Sequence, residues 1–269
     1  MSELSKRILF GVPAALLFVY LAWLGGLYFE LFLGIAAVGT VWEMDRILGK
    51  AGAPTYTILV WLLALFVWFF GRLPITVTWI LLMAIIAGSV IMYVRRGNTS
   101  KRWFASLLVG IYAPLGMLML FEIREAGAGL DGFWLTLAVI FMIWGSDVFA
   151  YFGGKTFGKR KLAPNISPNK TWEGFWSGLV GSLVGMMIVV AVAPVFPFTI
   201  GWMLPAVVLA GTFGPLGDLL ESKLKRMADV KDSSTLFPGH GGFFDRLDAL
   251  ILSAPVLYLY FLLAWAWLG

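Results

Sequence analysis

Asp147 and Asp218 each stand within or at the end of a long apolar run, where lipid would otherwise be met. A carboxylate at mid-bilayer costs roughly 2.5–3.5 kcal/mol on insertion scales, so each calls for a partner or a task. Downstream of Asp218, the residues Glu221, Ser222 and Lys225 follow at i+3, i+4 and i+7 and share one helix face with it. Asp245 and Asp248 are three apart at the start of another apolar run and again share a face. Two acidic pairs on adjacent helix ends, with Asp147 near them, make a set able to hold one or two hard divalent cations. There is no cysteine, and His240 is the one histidine. Thiolate chemistry and a multi-histidine metal cage are therefore excluded, and oxygen donors select magnesium, calcium or manganese. Magnesium keeps several waters and takes a few carboxylates plus substrate phosphates, which suits a half-open site of this kind. A structural salt bridge or a proton path is the alternative reading of Asp147 and Asp218.

The same segment is rich in bases and glycines. Ser222, Lys223, Lys225, Arg226, Lys231 and Asp232 precede Gly239-His240-Gly241-Gly242 and then Asp245-Arg246. Glycines let backbone amides approach a ligand while Lys and Arg neutralise phosphate oxygens, so the pattern fits a phosphate-rich, metal-bridged ligand. A solvated basic loop held to anionic lipid is the competing reading. His240, set among glycines, is a candidate general base or phosphate donor, or a plain turn residue. Gly153-Gly154-Lys155-Thr156 imitates the end of a phosphate-binding P-loop, but Phe149 stands where that loop needs glycine and no strand precedes it.

These residues must be carried by a membrane scaffold. Of the 269 residues, 60% are hydrophobic and only 13% charged, with a mean hydropathy of +0.89. A soluble domain runs at about 45–50% apolar and about 25% charged, so a water-soluble enzyme is excluded. A span needs about 20 apolar residues to cross ~30 Å of hydrocarbon. The hydropathy pattern places spans at 8–23, from the Gly25-Gly26 turn to 42, and at 56–70, 75–94 and 103–121. Four more fall at 132–152, 174–195, 200–220 and 247–268. The expected fold is thus all-α, a polytopic membrane protein of about nine transmembrane helices. An N-terminal scaffold, 1–131, holds about five helices, and a catalytic region, 132–269, carries two polar loops at 153–173 and 221–246. On this map eighteen of the twenty Lys and Arg residues fall on one side and only Arg72 and Arg124 on the other. The positive-inside rule then makes the N-terminus and both polar loops cytoplasmic. Glu30, Glu122, Glu125 and Asp131 are expected near the outer face, solvated.

Ser222 to Asp248 resembles the signature of the phosphatidate cytidylyltransferases, or CDP-diacylglycerol synthases, of the bacterial type. The fixed points of that pattern read here as Ser222, Lys225-Arg226, Lys231-Asp232, His240-Gly241-Gly242, Asp245-Arg246 and Asp248. An earlier segment is similar too, through Asp147, Ala150-Tyr151, Gly154-Lys155, Gly158-Lys159, Ser167-Pro168-Asn169-Lys170-Thr171 and Glu173-Gly174. The motifs lie in the last half of the chain. The resemblance implies transfer of the cytidylyl group of CTP to phosphatidic acid, with magnesium, giving CDP-diacylglycerol and pyrophosphate at the cytoplasmic membrane. It implies Asp218, Glu221 and Asp245 as core metal ligands supported by Asp147 and Asp248, with one or two divalent cations and room for a monovalent ion. Lys225, Arg226 and Lys231 would hold triphosphate oxygens, assisted by Ser222 and His240. Lys170 and Arg246 would meet the lipid phosphate, with Ser167, Asp232, Gly241 and Gly242 lining the substrates. CTP, phosphatidic acid and membrane lipids are the expected partners, and nucleic acid is not. The oligomeric state stays open, a homodimer being one option. A CTP-dependent polyprenol or dolichol kinase uses similar ligands and is the nearest alternative; a cation transporter would not need the glycine–histidine loop.

Overall fold

The structure is a computed structural model that describes residues 3–95, 100–237, 239 and 241–268. His240 and Pro238 lie outside the described residues. Nine helices are present among those described: α1 (Glu3–Leu24), α2 (Gly26–Lys50), α3 (Thr57–Phe69), α4 (Ile75–Arg95), α5 (Ser100–Glu125), α6 (Asp131–Phe157), α7 (Trp172–Val192), α8 (Ile200–Met227) and α9 (Phe244–Leu268). Each overlies one span of the hydropathy map. Six of them, α2 and α5 to α9, are long and apolar enough to cross a membrane. The apolar stretches of α1, α3 and α4 are shorter. At 13 residues α3 rises about 20 Å, less than the ~30 Å of hydrocarbon.

The chain nevertheless runs from end to end through α3. At its start, the Tyr56 N–H donates to Ser106 Oγ at 2.7 Å and Arg102 Nε donates to the Thr55 carbonyl at 3.0 Å, which ties it to the beginning of α5. Beyond its far end, Arg72 pairs with Glu30 of α2 and lies 3.9 Å from Glu122 near the end of α5. Gly25 and Gly26, at φ +65° and +49°, turn the chain between α1 and α2 at that same end. There Arg124, buried, donates to the carbonyls of Ala22 and Trp23 at the end of α1, and Glu125 accepts from the Gly26 N–H at 3.0 Å. Glu30, Glu122 and Glu125, expected to be solvated, are part-exposed and also lie against Arg72 and Arg124.

Two helices extend past the map and one feature departs from all-α. α6 continues to Phe157 and α8 to Met227, well beyond positions 152 and 220. A hydropathy pattern ends a span where charge begins, but a helix leaving hydrocarbon still satisfies its own backbone and continues. Pro215, which removes a backbone donor, does not end the helix; α8 runs unbroken through Pro205 and Pro215. The surroundings support it there, because Gly217 packs so closely on α9 that an added Cβ would lie 2.3 Å from the Asp248 carbonyl oxygen. Between α6 and α7 the polar stretch forms an antiparallel hairpin of β1 (Lys161–Ala163) and β2 (Ser167–Thr171), in register Lys161 to Thr171 and Ala163 to Ser167. Thr171 then caps α7, its Oγ1 accepting from the Gly174 N–H at 3.1 Å. Small residues let α6 and α7 meet backbone to backbone: a Cβ on Gly145 would lie 2.3 Å from the Gly181 carbonyl oxygen. That contact sets Asp147 beside the start of α7.

Candidate active site

Helix periodicity delivers the acidic face of α8. Ser222 Oγ donates to Asp218 Oδ1 at 3.2 Å, and Lys225 Nζ lies 2.8 Å from Glu221 Oε1, both pairs four residues apart. α9 packs alongside, so that Asp218, Glu221 and Asp248 each bring a carboxylate oxygen to within 4.8 Å of the others. Glu221 is 2% exposed. Tyr112 of α5 has its hydroxyl buried and unpartnered within reach of the charges on Asp248 and Glu221.

Three carboxylates gathered this closely repel one another unless cations intervene. Two lysines supply part of the compensation. Lys170, from β2, places Nζ 2.6 Å from Asp218 Oδ2 and 3.3 Å from the Pro215 carbonyl. Lys225 Nζ bridges Glu221 and Asp245, 2.7 Å from Asp245 Oδ1. An all-oxygen set of three carboxylates, one of them buried, is the donor chemistry of a hard divalent cation.

Asp245, expected among the ligands themselves, is engaged elsewhere. Besides Lys225, it accepts on Oδ2 from the N–H groups of Ser233 and Gly242, both at 2.8 Å, and from Ser233 Oγ at 2.6 Å. Asp147 lies near enough to Asp218 and Asp248 to feel their charge. With Asp218 it lines a cavity of about 470 Å³ between α6, the hairpin, α7 and α8, shared with Tyr151, Lys155, Asn169 and Lys170. The hairpin is held over this cavity by Glu173, whose Oε2 accepts from the N–H groups of Lys159 at 2.9 Å and Arg160 at 3.1 Å.

The remaining candidates divide by exposure. Arg226, Lys231, Asp232 and Arg246 are exposed and make no ion pair among the described residues. Ser167 opens β2 opposite Ala163. Gly241 adopts φ +77°, and Gly242 is buried against a carboxylate of α2. That carboxylate is Glu43, which with Ser233 and Tyr112 completes the site and was not foreseen. The rule that marked Asp147 and Asp218, an acid inside an apolar helix, would have marked Glu43 had α2 been extended to Lys50 rather than ended at position 42.

A profile described as the cytidylyltransferase family matches residues 5–264, nearly the whole chain. The chain belongs to the cytidylyltransferase family. A phosphatidate cytidylyltransferase of Bacillus subtilis is 37% identical over 276 residues, covering 98% of this chain and 99% of the relative. Proteins of the same name from Brucella abortus and Pseudomonas aeruginosa are 32% and 36% identical, over 97% and 87% of this chain and 94% and 87% of their own lengths. The match reaches the N-terminal helices, α2 among them, where the motifs carried no resemblance.

Proposed function

We propose that this chain transfers the cytidylyl group of CTP to phosphatidic acid, releasing pyrophosphate and leaving CDP-diacylglycerol in the membrane. The observation that carries the reading is the trio Asp218, Glu221 and Asp248 beside a lysine-bearing cavity, in a chain of the cytidylyltransferase family. An oxygen of the phosphatidate phosphate attacks the α-phosphorus of CTP in line, a new P–O bond forms, and the bond to the β-phosphate oxygen breaks. The nucleophile is already an anion, so no strong base is needed. The barrier is the approach of several negative charges, which fixed positive groups lower.

Lys170 stands at the cavity wall and Lys225 beside the trio, each able to offset phosphate charge. Arg226, Lys231 and Arg246, exposed and without an ion pair among the described residues, suit oxygens of the triphosphate and of the lipid headgroup. Ser222 orients Asp218. Asp218, Glu221 and Asp248 would hold magnesium, with Asp147 flanking it and Asp245 fixing Lys225. Bound there, the ion would withdraw charge from phosphate oxygens and orient the triphosphate. The cavity is lined in part by Tyr151 of α6, which is exposed, and Phe175 of α7, which favours a substrate whose tails stay in lipid. All nine helices are assigned as spans, with the N-terminus and the site on the cytoplasmic side, on the strength of the charge asymmetry.

The test uses purified protein in detergent with phosphatidic acid, magnesium and CTP labelled on either the α- or the γ-phosphate. Label from the α-position entering lipid, with γ-label recovered in pyrophosphate, is the expected result. Label from the γ-position entering lipid, with polyprenol also supplied, would make the protein a lipid kinase and overturn the reading.

A further inference from the structure

Glu43 belongs to none of the motifs in the second half of the chain, yet it is fully buried and its two oxygens serve four donors. Oε1 accepts from Ser234 Oγ at 2.7 Å and from the Phe243 N–H at 3.0 Å. Oε2 accepts from Ser233 Oγ at 2.7 Å and from the Phe244 N–H at 2.8 Å. The two amides are at the start of α9, where backbone N–H groups have no partner within the helix and a negative charge is favoured. Gly242 is pressed against the same carboxylate, so that an added Cβ would lie 2.0 Å from Oε1.

From Glu43 a continuous polar path leads to the acidic trio. Ser233 Oγ lies 2.7 Å from Glu43 Oε2 and 2.6 Å from Asp245 Oδ2. A hydroxyl has one proton, so it donates to one of these carboxylates at a time, while the Ser233 N–H keeps Asp245 supplied. Asp245 Oδ1 then meets Lys225 Nζ, and Lys225 meets Glu221 Oε1. Glu43 thus ties Ser234, Phe243 and Phe244 to α2, with Ser233 shared between it and Asp245, and so fixes the first turn of α9, one turn ahead of Asp248.

We infer that Glu43 is a positioning residue for the cytidylyl transfer proposed above, acting through Ser233, Asp245 and Lys225 to hold Glu221 and Asp248 in their cation-binding arrangement. It touches neither substrate nor the trio directly; its effect is on the angle and spacing of the groups that do. Removing such a supporting contact around a metal site lowers affinity or activity by about 10–100-fold.

The experiment titrates Mn2+ into purified full-length protein and reads bound ion by electron paramagnetic resonance, alongside thermal unfolding and turnover. Glu43→Gln keeps the shape but places an NH2 donor against N–H and O–H donors. The expected result is Mn2+ binding weakened about 10-fold or more and kcat lowered comparably, with the KM for phosphatidate little changed. Glu43→Asp, which keeps two acceptors, should recover part of both. If Glu43→Gln does not fold, Ser233→Ala carries the test, since it cuts the link between the two carboxylates and leaves both α9 amides bonded to Glu43. Folded Glu43→Gln or Ser233→Ala protein that binds Mn2+ within about twofold of the parent would overturn the inference. A parent protein that binds Mn2+ yet transfers no α-label would refute the assigned reaction while leaving the Glu43 comparison intact.

Discussion

The two ends of the helix bundle both collect acids and bases, and they do so in opposite ways. At the end formed by the α1–α2 turn, the α3–α4 turn and the close of α5, Glu30 and Glu122 face Arg72, and Arg124 spends its donors on α1 carbonyls beside Glu125. Each of these acids lies against an arginine, and the groups serve to fasten helices. At the other end three carboxylates are drawn together, the buried Glu221 among them. Structure alone does not require such a gathering, because two apolar helices would pack without it. The difference separates acids spread singly against arginines from acids gathered on one another, the arrangement that could hold a cation.

Substitutions on the two sides should therefore fail differently. Asp218→Asn removes a member of the trio and the partner of Lys170; turnover should drop on the order of 10²–10³-fold in the α-label assay, in protein that still folds. Lys225→Met leaves Glu221 and Asp245 facing each other with side chains 3% and 5% exposed. Removing one partner of a buried ion pair costs about 3–5 kcal/mol, seen as a large fall in unfolding temperature, and added divalent cation should restore part of it. Gly242→Ala drives a methyl group into Glu43 and should cost about 10-fold in activity, measurable at saturating substrate. Arg72→Gln at the first end is expected to lower stability by no more than about 1 kcal/mol, since Arg72 and Glu30 are 29% and 22% exposed, and to leave turnover unchanged. A large activity loss in that variant would erase the distinction between the ends.

Much of the working end could be read from residue order. Periodicity put Asp218, Glu221, Ser222 and Lys225 on one face, and the intramembrane acids marked α6 and α8. Periodicity within a helix says nothing of how two helices rotate against each other, so it could not tell which of Asp245 and Asp248 would lie nearer Asp218 and Glu221. Asp248 faces Asp218 and Glu221, while Asp245 faces Lys225 and Ser233. Pro215 reads as a helix breaker locally, yet packing of Gly217 against α9 carries the helix through. The hairpin at 161–171 has too few apolar residues to signal strands, and its order comes from Glu173 and the helices beneath it. Glu43 was hidden for a further reason: its partners lie about 190–200 positions away, beyond any local pattern. Of the first end, the sequence disclosed the side on which Arg72 and Arg124 fall, but not the glutamates they meet.

The most direct test of the difference between the ends is Mn2+ binding by the parent protein, by Asp248→Asn and by Arg72→Gln, measured by paramagnetic resonance without substrate. Binding in the parent and in Arg72→Gln, with loss of about 10-fold or more in affinity in Asp248→Asn, is the predicted result. Equal binding in all three folded proteins would contradict it, and would mean that the gathered carboxylates are fastening charge like those at the opposite end.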